Sequence, residues 1–216
     1  MRRVLPATPL LIAGHPGLDF LNTRFLLLPE RTPVELLGDG RSFVDWLVAA
    51  GLLDGPTSSK LKRRFGGPPG EALDDVAAEA RKLRQWASDW IDRWRDERRT
   101  GRPTDEGPEL HRLNRLLERT NGYREIVAGD TGFTIVEHTR VDSAGDLLAI
   151  VALQVALLVT TEDPELVKRC AGTDCVLRFV DRTKAHRRVF CSAAVCGNRA
   201  KVAAFRARQR KQPAGK

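Results

Sequence analysis

The pattern of apolar and polar residues along the chain is mostly of the helical kind. Residues 71 to about 99 contain few helix breakers, and Trp86, Trp90 and Trp94 lie four apart, so they form one stripe along a helix. Large aromatic side chains stabilise a fold most when they are buried, so we predict that this stripe faces the core. Residues 146 to 160 are apolar almost all round and are predicted to form the central helix.

Shorter helices are predicted elsewhere in the first two thirds of the chain. Residues 14 to 28 have the pattern of a turn followed by a short helix. Ser42 is a candidate cap for a second helix that ends at Gly51, and Pro56 is placed to begin a third. Residues 109 to 120 carry leucines on one face and predict an amphipathic helix.

Two short segments have the composition of β-strands instead. Residues 123–127 and 133–137 are rich in β-branched and aromatic side chains, and residues 128–132 between them contain two glycines. The sequence therefore predicts one small hairpin, at about residues 123–137, in a mainly α fold of the α+β class.

The composition is that of a globular protein. Of the 216 residues, 42% are hydrophobic and 30% are charged, which allows a packed core. The longest apolar run, residues 147–159, is too short to span a membrane. The first residues imitate a signal peptide, but Pro6 and Pro9 interrupt the apolar stretch, so we expect no export and a cytoplasmic location.

The charge divides the chain into two parts. Residues 166–216 contain 14 Lys and Arg but only Asp174 and Asp181, a net charge of +12, whereas residues 1–165 carry −4. This asymmetry is typical of a domain joined to a module that binds a polyanion. We predict a boundary at Asp163-Pro164, and we call residues 1–162 the body and residues 163–216 the finger.

All four cysteines lie in the finger, at Cys170, Cys175, Cys191 and Cys196. They form two C-x4-C pairs separated by fifteen residues, a spacing that lets four thiolates surround one zinc ion. Two disulfides or four inert thiols are the alternatives; disulfides would need an oxidising compartment. We therefore predict one structural Zn2+ held by these four residues.

The finger has the pattern of a turn, a hairpin and a helix. Gly172 is a candidate for left-handed backbone in the turn between the first two cysteines. Residues 176–180 and 187–190 are predicted to pair as the two strands. Residues 198–211 predict a helix, and Cys196 just before it would gain thiolate stabilisation from the helix dipole.

Basic residues of this helix are candidates for contacts with DNA. Arg199, Arg206 and Arg210 share one face, while Val202 and Phe205 are expected to pack on the hairpin at Leu177 or Phe179. A merely solvated basic face is the alternative, although the finger has few acids to neutralise it. The predicted nucleic-acid-binding residues are Arg187, Arg188, Arg199, Lys201, Arg206, Arg208 and Arg210.

The segment Cys196-Gly197-Asn198-Arg199, together with the cysteine spacing, closely resembles the CGNR zinc-finger family. The opening of the chain, residues 14–23, resembles the start of the ABATE domain that precedes that finger. The resemblance covers residues 13 to about 210 and implies a bacterial, cytoplasmic, stress-induced transcription regulator. In the motif we expect Gly197 to relieve crowding beside the metal, Asn198 to cap the helix, and Arg199 to face phosphate or support the thiolates.

His15, Asp19 and Asn22 form a second candidate site. Asp19 and Asn22 share a helix face near His15, so the three could line a small-molecule pocket; alternatively they cap the helix and satisfy buried backbone groups. No catalytic triad, phosphate-binding loop or paired carboxylates stand out, and we expect no enzymatic activity.

The sequence as a whole predicts a zinc-containing DNA-binding regulator whose body senses a small-molecule effector or a partner. The alternative is a zinc-stabilised module that binds protein or RNA, joined to a metabolite-binding body. One finger offers a small footprint for specific recognition, so a homodimer is a candidate assembly.

Overall fold

The computed structural model describes residues 10–28, 30–67, 72–101, 107–129 and 132–211. The helices are α1 (Pro16–Leu21), α2 (Gly40–Ala49), α3 (Gly55–Phe65), α4 (Ala72–Thr100), α5 (Gly107–Leu117), α6 (Asp146–Thr161) and α7 (Asn198–Lys211), with a π-helical turn at Ala193–Gly197. The strands are β1 (Arg24–Leu27), β2 (Thr32–Glu35), β3 (Asn121–Gly129), β4 (Gly132–Arg140), β5 (Val167–Arg169) and β6 (Arg178–Val180). Among the described helices, none is long and apolar enough to cross a membrane.

The core of the body is built around α6. This helix packs against α1, α4 and α5, while α4 also contacts α2 and α3. The long helix predicted over residues 71–99 is confirmed, and Trp90 and Trp94 are buried on its inner face. Trp86 is half-buried and stacks on Trp90, with ring centroids 5.4 Å apart. The aromatic stripe is therefore part of the core, as predicted.

The helix caps differ from the predicted ones. Asp39, and not Ser42, caps α2, because its carboxylate accepts the amide of Ser42 at 2.7 Å. Asp54 caps α3 in the same way. At the start of α6, the carboxylate of Asp146 accepts both the amide and the hydroxyl of Ser143. An aspartate that reaches the free N–H groups competes well with serine at these positions.

The strands form three separate antiparallel pairs within the described ranges: β1–β2, β3–β4 and β5–β6. The helix predicted within residues 14–28 is confirmed only as far as Leu21, because the chain then turns into β1. In the β1–β2 pair, Phe25 lies opposite Val34, and both side chains are buried. The β3–β4 hairpin is confirmed and is longer than predicted, and its Ile126, Phe133 and Ile135 are largely exposed.

Candidate metal centre and basic helix

The four cysteine side chains meet at one point. The sulfur atoms of Cys170, Cys175, Cys191 and Cys196 all lie within 4.8 Å of one another. Cys191 Sγ lies 3.7 Å from Cys175 Sγ and 3.6 Å from Cys196 Sγ, far beyond the length of a disulfide bond. A tetrahedron with Zn–S bonds of about 2.3 Å has edges of about 3.8 Å, so the observed separations match it. Four thiolate donors in this arrangement fit one structural zinc ion.

The secondary structure that carries the cysteines differs from the predicted hairpin. Strand β6 pairs with β5, which precedes Cys170, and not with residues 187–190. That segment is not a strand, although the carbonyl of Val189 accepts the amide of Ala171 at 2.8 Å. The predicted pairing was wrong because β5 supplies a partner that is also anchored in the body.

The glycine beside the metal centre is Gly172. Left-handed backbone in the first knuckle occurs at Asp174, with φ of 65°, and not at Gly172 as predicted. A Cβ on Gly172 would lie 3.1 Å from Cys196 Sγ and 3.4 Å from Cys170 Sγ, so a side chain there would crowd two metal ligands. A Cβ on Gly197 would meet nothing closer than 3.5 Å, so the crowding expected at Gly197 belongs to Gly172.

Backbone amides and neighbouring thiols set the charge of the sulfur atoms. The amides of Gly172 and Cys191 donate to Cys170 Sγ at 3.4 and 3.2 Å. The hydrogen bond from Cys191 lowers the pKa of Cys175 to about 5, while burial raises the pKa of Cys196 to about 12. The hydrogen bond with Cys175 raises the pKa of Cys191 as well. Four thiolates this close together repel one another, and a divalent ion bound between them would supply the charge that stabilises all four.

Asp181 organises the loop between β6 and the second cysteine pair. It is fully buried, and its carboxylate accepts Lys168 Nζ at 2.7 Å, Thr183 Oγ1 at 2.6 Å and the amide of Arg188 at 2.8 Å. Burial would raise the pKa of Asp181, but these hydrogen bonds hold it well below its usual range. This role was not predicted, although the sequence carries one signal for it, since Asp181 is one of only two acidic residues in the strongly basic residues 166–216.

Arg188 is a structural residue of the finger. Its guanidinium lies over the ring of Phe179 at 4.2 Å and donates to the carbonyls of Phe190, Cys191 and Ile12. The prediction that Arg188 binds nucleic acid conflicts with this arrangement, because all of these contacts are internal. Arg187, in contrast, is exposed.

Helix α7 stands away from the rest of the finger. Every residue from 201 to 210 is exposed, and Val202 and Phe205 are 40% and 53% exposed. The predicted packing of these two side chains on the strands is therefore wrong. Ser192, and not Asn198, provides the cap, since its hydroxyl accepts the amide of Val195 at 3.2 Å. Cys196 lies in the π-helical turn just before α7, as predicted.

Arg199 lies where the basic helix meets the metal centre. Its Nη2 donates to the carbonyl of Thr173 at 3.4 Å, while its buried Nη1 has no partner among the described residues. Arg199 and Arg206 line a hollow of about 500 Å3 together with Gly172 and Cys196.

His15, Asp19 and Asn22 all bond to the main chain, which corresponds to the structural alternative and not to a pocket. His15 Nδ1 accepts the amide of Gly17, and Asp19 accepts the amide of Ala13, both at 3.0 Å. Asn22 and the backbone of Arg178 exchange two hydrogen bonds, of 2.8 and 2.9 Å. Burial lowers the pKa of His15 and raises the pKa of Asp19.

The body and the finger share their apolar cores. Val167 and Val180 of the finger are buried in the same core as α1 and α6. Phe25 and Val34 of the body are buried with Phe179 and the cysteines. The predicted boundary at residue 163 is thus crossed by tightly packed side chains.

Hydrogen bonds and ion pairs also cross this boundary. The carbonyls of residues 12–14 accept from Val180 at 2.7 Å, Arg182 at 3.1 Å and Arg188 at 3.4 Å. Asp92 on α4 holds the guanidinium groups of two finger arginines, Arg169 and Arg178.

Comparisons with known proteins agree with this architecture. The family model ABATE, described as "Putative stress-induced transcription regulator", matches residues 14–162, and the CGNR zinc-finger model matches residues 167–209. Both resemblances noted in the sequence are thereby confirmed. The comparison with curated proteins finds no match.

Proposed function

Because the chain belongs to the ABATE family and carries a CGNR zinc finger, we propose that it regulates transcription by binding duplex DNA through α7. The observation that carries the proposal is the solvent exposure and positive charge of this helix. Its residues 201–210 are exposed on every side, and the helix bears Lys and Arg but no acidic residue. Beyond its first turn, α7 is thus exposed along its length in the described part of the chain, and an exposed basic helix is suited to enter the major groove, which accommodates one α-helix.

The metal centre gives this helix a fixed base. Cys196 lies only two residues before Asn198, where α7 begins. Zinc coordination by Cys196 therefore sets where the helix leaves the finger. With 14 residues, α7 is about 21 Å long, enough to lie along a groove. Zinc thus acts structurally, by positioning the helix.

The proposed contacts divide into two groups. Arg199 and Arg206, which both line the hollow beside Cys196, are proposed to contact one phosphate together. The exposed basic side chains are proposed to contact other phosphates or guanine edges. These are Arg187, Lys201, Arg208 and Arg210.

A second candidate function is supported by Val202 and Phe205. Their exposed apolar side chains lie three positions apart on α7, a spacing that also suits docking on a partner protein. In that case the finger would be a protein- or RNA-binding module. We further propose that the body senses a small-molecule effector.

The test is binding of the full-length, zinc-loaded protein to a mixed-sequence DNA duplex, followed by fluorescence anisotropy at increasing salt. The logarithm of affinity should fall linearly with the logarithm of salt, by about 0.9 per phosphate neutralised. Arg206→Gln with Arg210→Gln should reduce that slope by about 1 to 2. The matched control, Arg63→Gln with Arg115→Gln, removes the same charge from exposed positions of the body and should leave the slope unchanged.

The outcomes separate the candidates. Equal loss of slope in both double variants, or no duplex binding at all, would overturn the DNA proposal. Tighter binding to an RNA hairpin than to duplex DNA would favour the second candidate.

A further inference from the structure

A cleft of about 620 Å3 lies where the finger meets the body. One wall is formed by β1 and β2, the second by α4, and the third by the finger around Cys170 and Cys175. Its size falls within the range of small-molecule sites, which often lie between domains. We propose that this cleft binds a small organic monocarboxylate with an apolar body, and that this ligand is the effector of the protein.

Apolar side chains line the part of the cleft nearest the strands. Phe25 is buried there, Leu26 is half-buried, and Pro33 and Val176 are exposed to the cleft and solvent. An apolar ligand body placed against Leu26, Pro33 and Val176 would remove their exposed surface and its own from water, at about 25 cal/mol per Å2.

Arginines supply the charge that a carboxylate needs. Arg24, Arg84, Arg169 and Arg178 all line the cleft, against the carboxylates of Asp89 and Asp92. The four guanidinium groups are not equally engaged, and this decides which of them is free for a ligand.

Arg84 and Arg178 are already fixed. Arg84 is paired with Glu35, and its side chain is 6% exposed, whereas Arg178 is paired with Asp92. Arg24 is exposed and has no side-chain partner among the described residues.

Arg169 shares Asp92 with Arg178, so one carboxylate serves two guanidinium groups, and the side chain of Arg169 remains 57% exposed. Arg24 is therefore the guanidinium group that can take a ligand carboxylate in the bidentate geometry that carboxylates favour, and the exposed Arg169 can join it by exchanging Asp92 for the ligand. Asp89, which also lines the cleft, accepts from Gln85 at 3.1 Å and offsets part of the positive charge there, which suits a ligand with a single negative charge.

The same residues connect the cleft to the metal centre. Arg169 directly precedes Cys170, and Arg178 lies three residues after Cys175. A carboxylate that draws Arg169 away from Asp92 would remove one of the two ion pairs that Asp92 makes with the finger. Ligand binding is thus expected to change how firmly the finger is held, and through it DNA affinity; this last step rests on the proposed function.

The test is calorimetric titration of the full-length, zinc-loaded protein with indole-3-acetate, phenylacetate and octanoate, each compared with its primary amide and with inorganic phosphate. At least one carboxylate should bind about tenfold more tightly than its amide, because the amide cannot form the charged pair. Arg24→Gln should weaken binding by about fivefold or more, and Arg115→Gln, the matched exposed control, by less than about twofold.

Each result decides the matter. Equal affinity for acid and amide, equal effects of both substitutions, or no binding of any of the three carboxylates would overturn the inference. A repeat of the DNA titration with the bound carboxylate keeps the two proposals distinguishable. Carboxylate binding without DNA binding would leave the cleft assigned and refute the proposed function, and the reverse result would refute only the cleft.

Discussion

Asp92 is the acidic residue through which α4 holds both strands of the finger, and its removal gives a sharp test of the interface. Its Oδ1 accepts Arg178 Nε at 3.1 Å and Arg169 Nε at 3.0 Å, and its Oδ2 accepts both terminal amino groups. The side chains of Asp92 and Arg178 are 16% and 12% exposed. Asp92→Asn keeps the shape of the side chain but removes the charge and one acceptor.

The size of the effect follows from the pKa of Asp92. Burial alone would raise this pKa, but hydrogen bonds from Arg178 and Arg169 lower it from 3.8 to about 2. At about 1.36 kcal/mol per pH unit, the lowering corresponds to about 2 kcal/mol of stability at neutral pH. Two arginines without an acceptor add to this cost, so we expect Asp92→Asn to lose about 2–4 kcal/mol.

The sign of the pH dependence is also fixed. Because the pKa is depressed in the folded state, the stabilisation is complete above the unfolded-state value of 3.8 and is lost as the pH falls toward 2. The difference in the free energy of unfolding between the native protein and Asp92→Asn should therefore stay constant from about pH 5 to pH 8.

The assay is urea unfolding of the zinc-loaded protein, followed by tryptophan fluorescence and by zinc release. All four tryptophans lie in the body, so the two signals report on different parts of the chain. Asp75→Asn, at an exposed position near the start of α4, is the matched control. A loss no larger than that of the control, or a difference that varies between pH 5 and pH 8, would refute the role assigned to Asp92.

Three further predictions concern the metal centre and its attachment. Cys191→Ser should reduce zinc from one ion per chain to well below one by elemental analysis, and should also lower the melting temperature of the body; an unchanged body would contradict the shared cores. Gly172→Ala should weaken zinc affinity in a chelator competition, because its Cβ crowds two ligand sulfurs, while Gly55→Ala, with open space around it, should not. Asn22→Ala should cost about 1–3 kcal/mol in urea unfolding, because it leaves the buried backbone groups of Arg178 unpaired, and a cost below about 0.5 kcal/mol would refute this.

The metal centre could be predicted from the sequence because zinc ligation depends on local spacing. Two C-x4-C pairs and a short spacer are enough to bring four sulfurs together, whichever strands lie between them. The long helices were predictable for a similar reason, since their apolar faces repeat with the helical period.

The strand pairs beside the metal centre could not be predicted in the same way. Residues 187–190 have the composition of a strand, but β5 takes their place as the partner of β6. The body holds β5 through Val167, which is buried against α1 and α6. Tertiary packing of this kind overrides local strand propensity.

The residues that join the finger to the body were equally hidden. Asn22 was recognised as a candidate for satisfying backbone groups, but its partner, Arg178, lies 156 positions away. Asp92 looked like one more acid on the polar face of α4, and its neighbours become evident only in the fold. Asp181 differs from its surroundings in charge, and this difference was the one sign in the sequence of its role in the loop after β6.

The hydrogen bonds between residues 12–14 and the finger have a consequence for biosynthesis. They join groups as many as 176 positions apart, so the early residues leave the ribosome about 10–30 s before their partners do. During that interval Phe25 and its apolar neighbours are not yet buried by the finger, and the finger also needs a metal ion in order to fold over them. A nascent chain made under zinc starvation would therefore keep the apolar surface around Phe25 exposed to aggregation. The yield of intact protein should then follow the metal supply during translation.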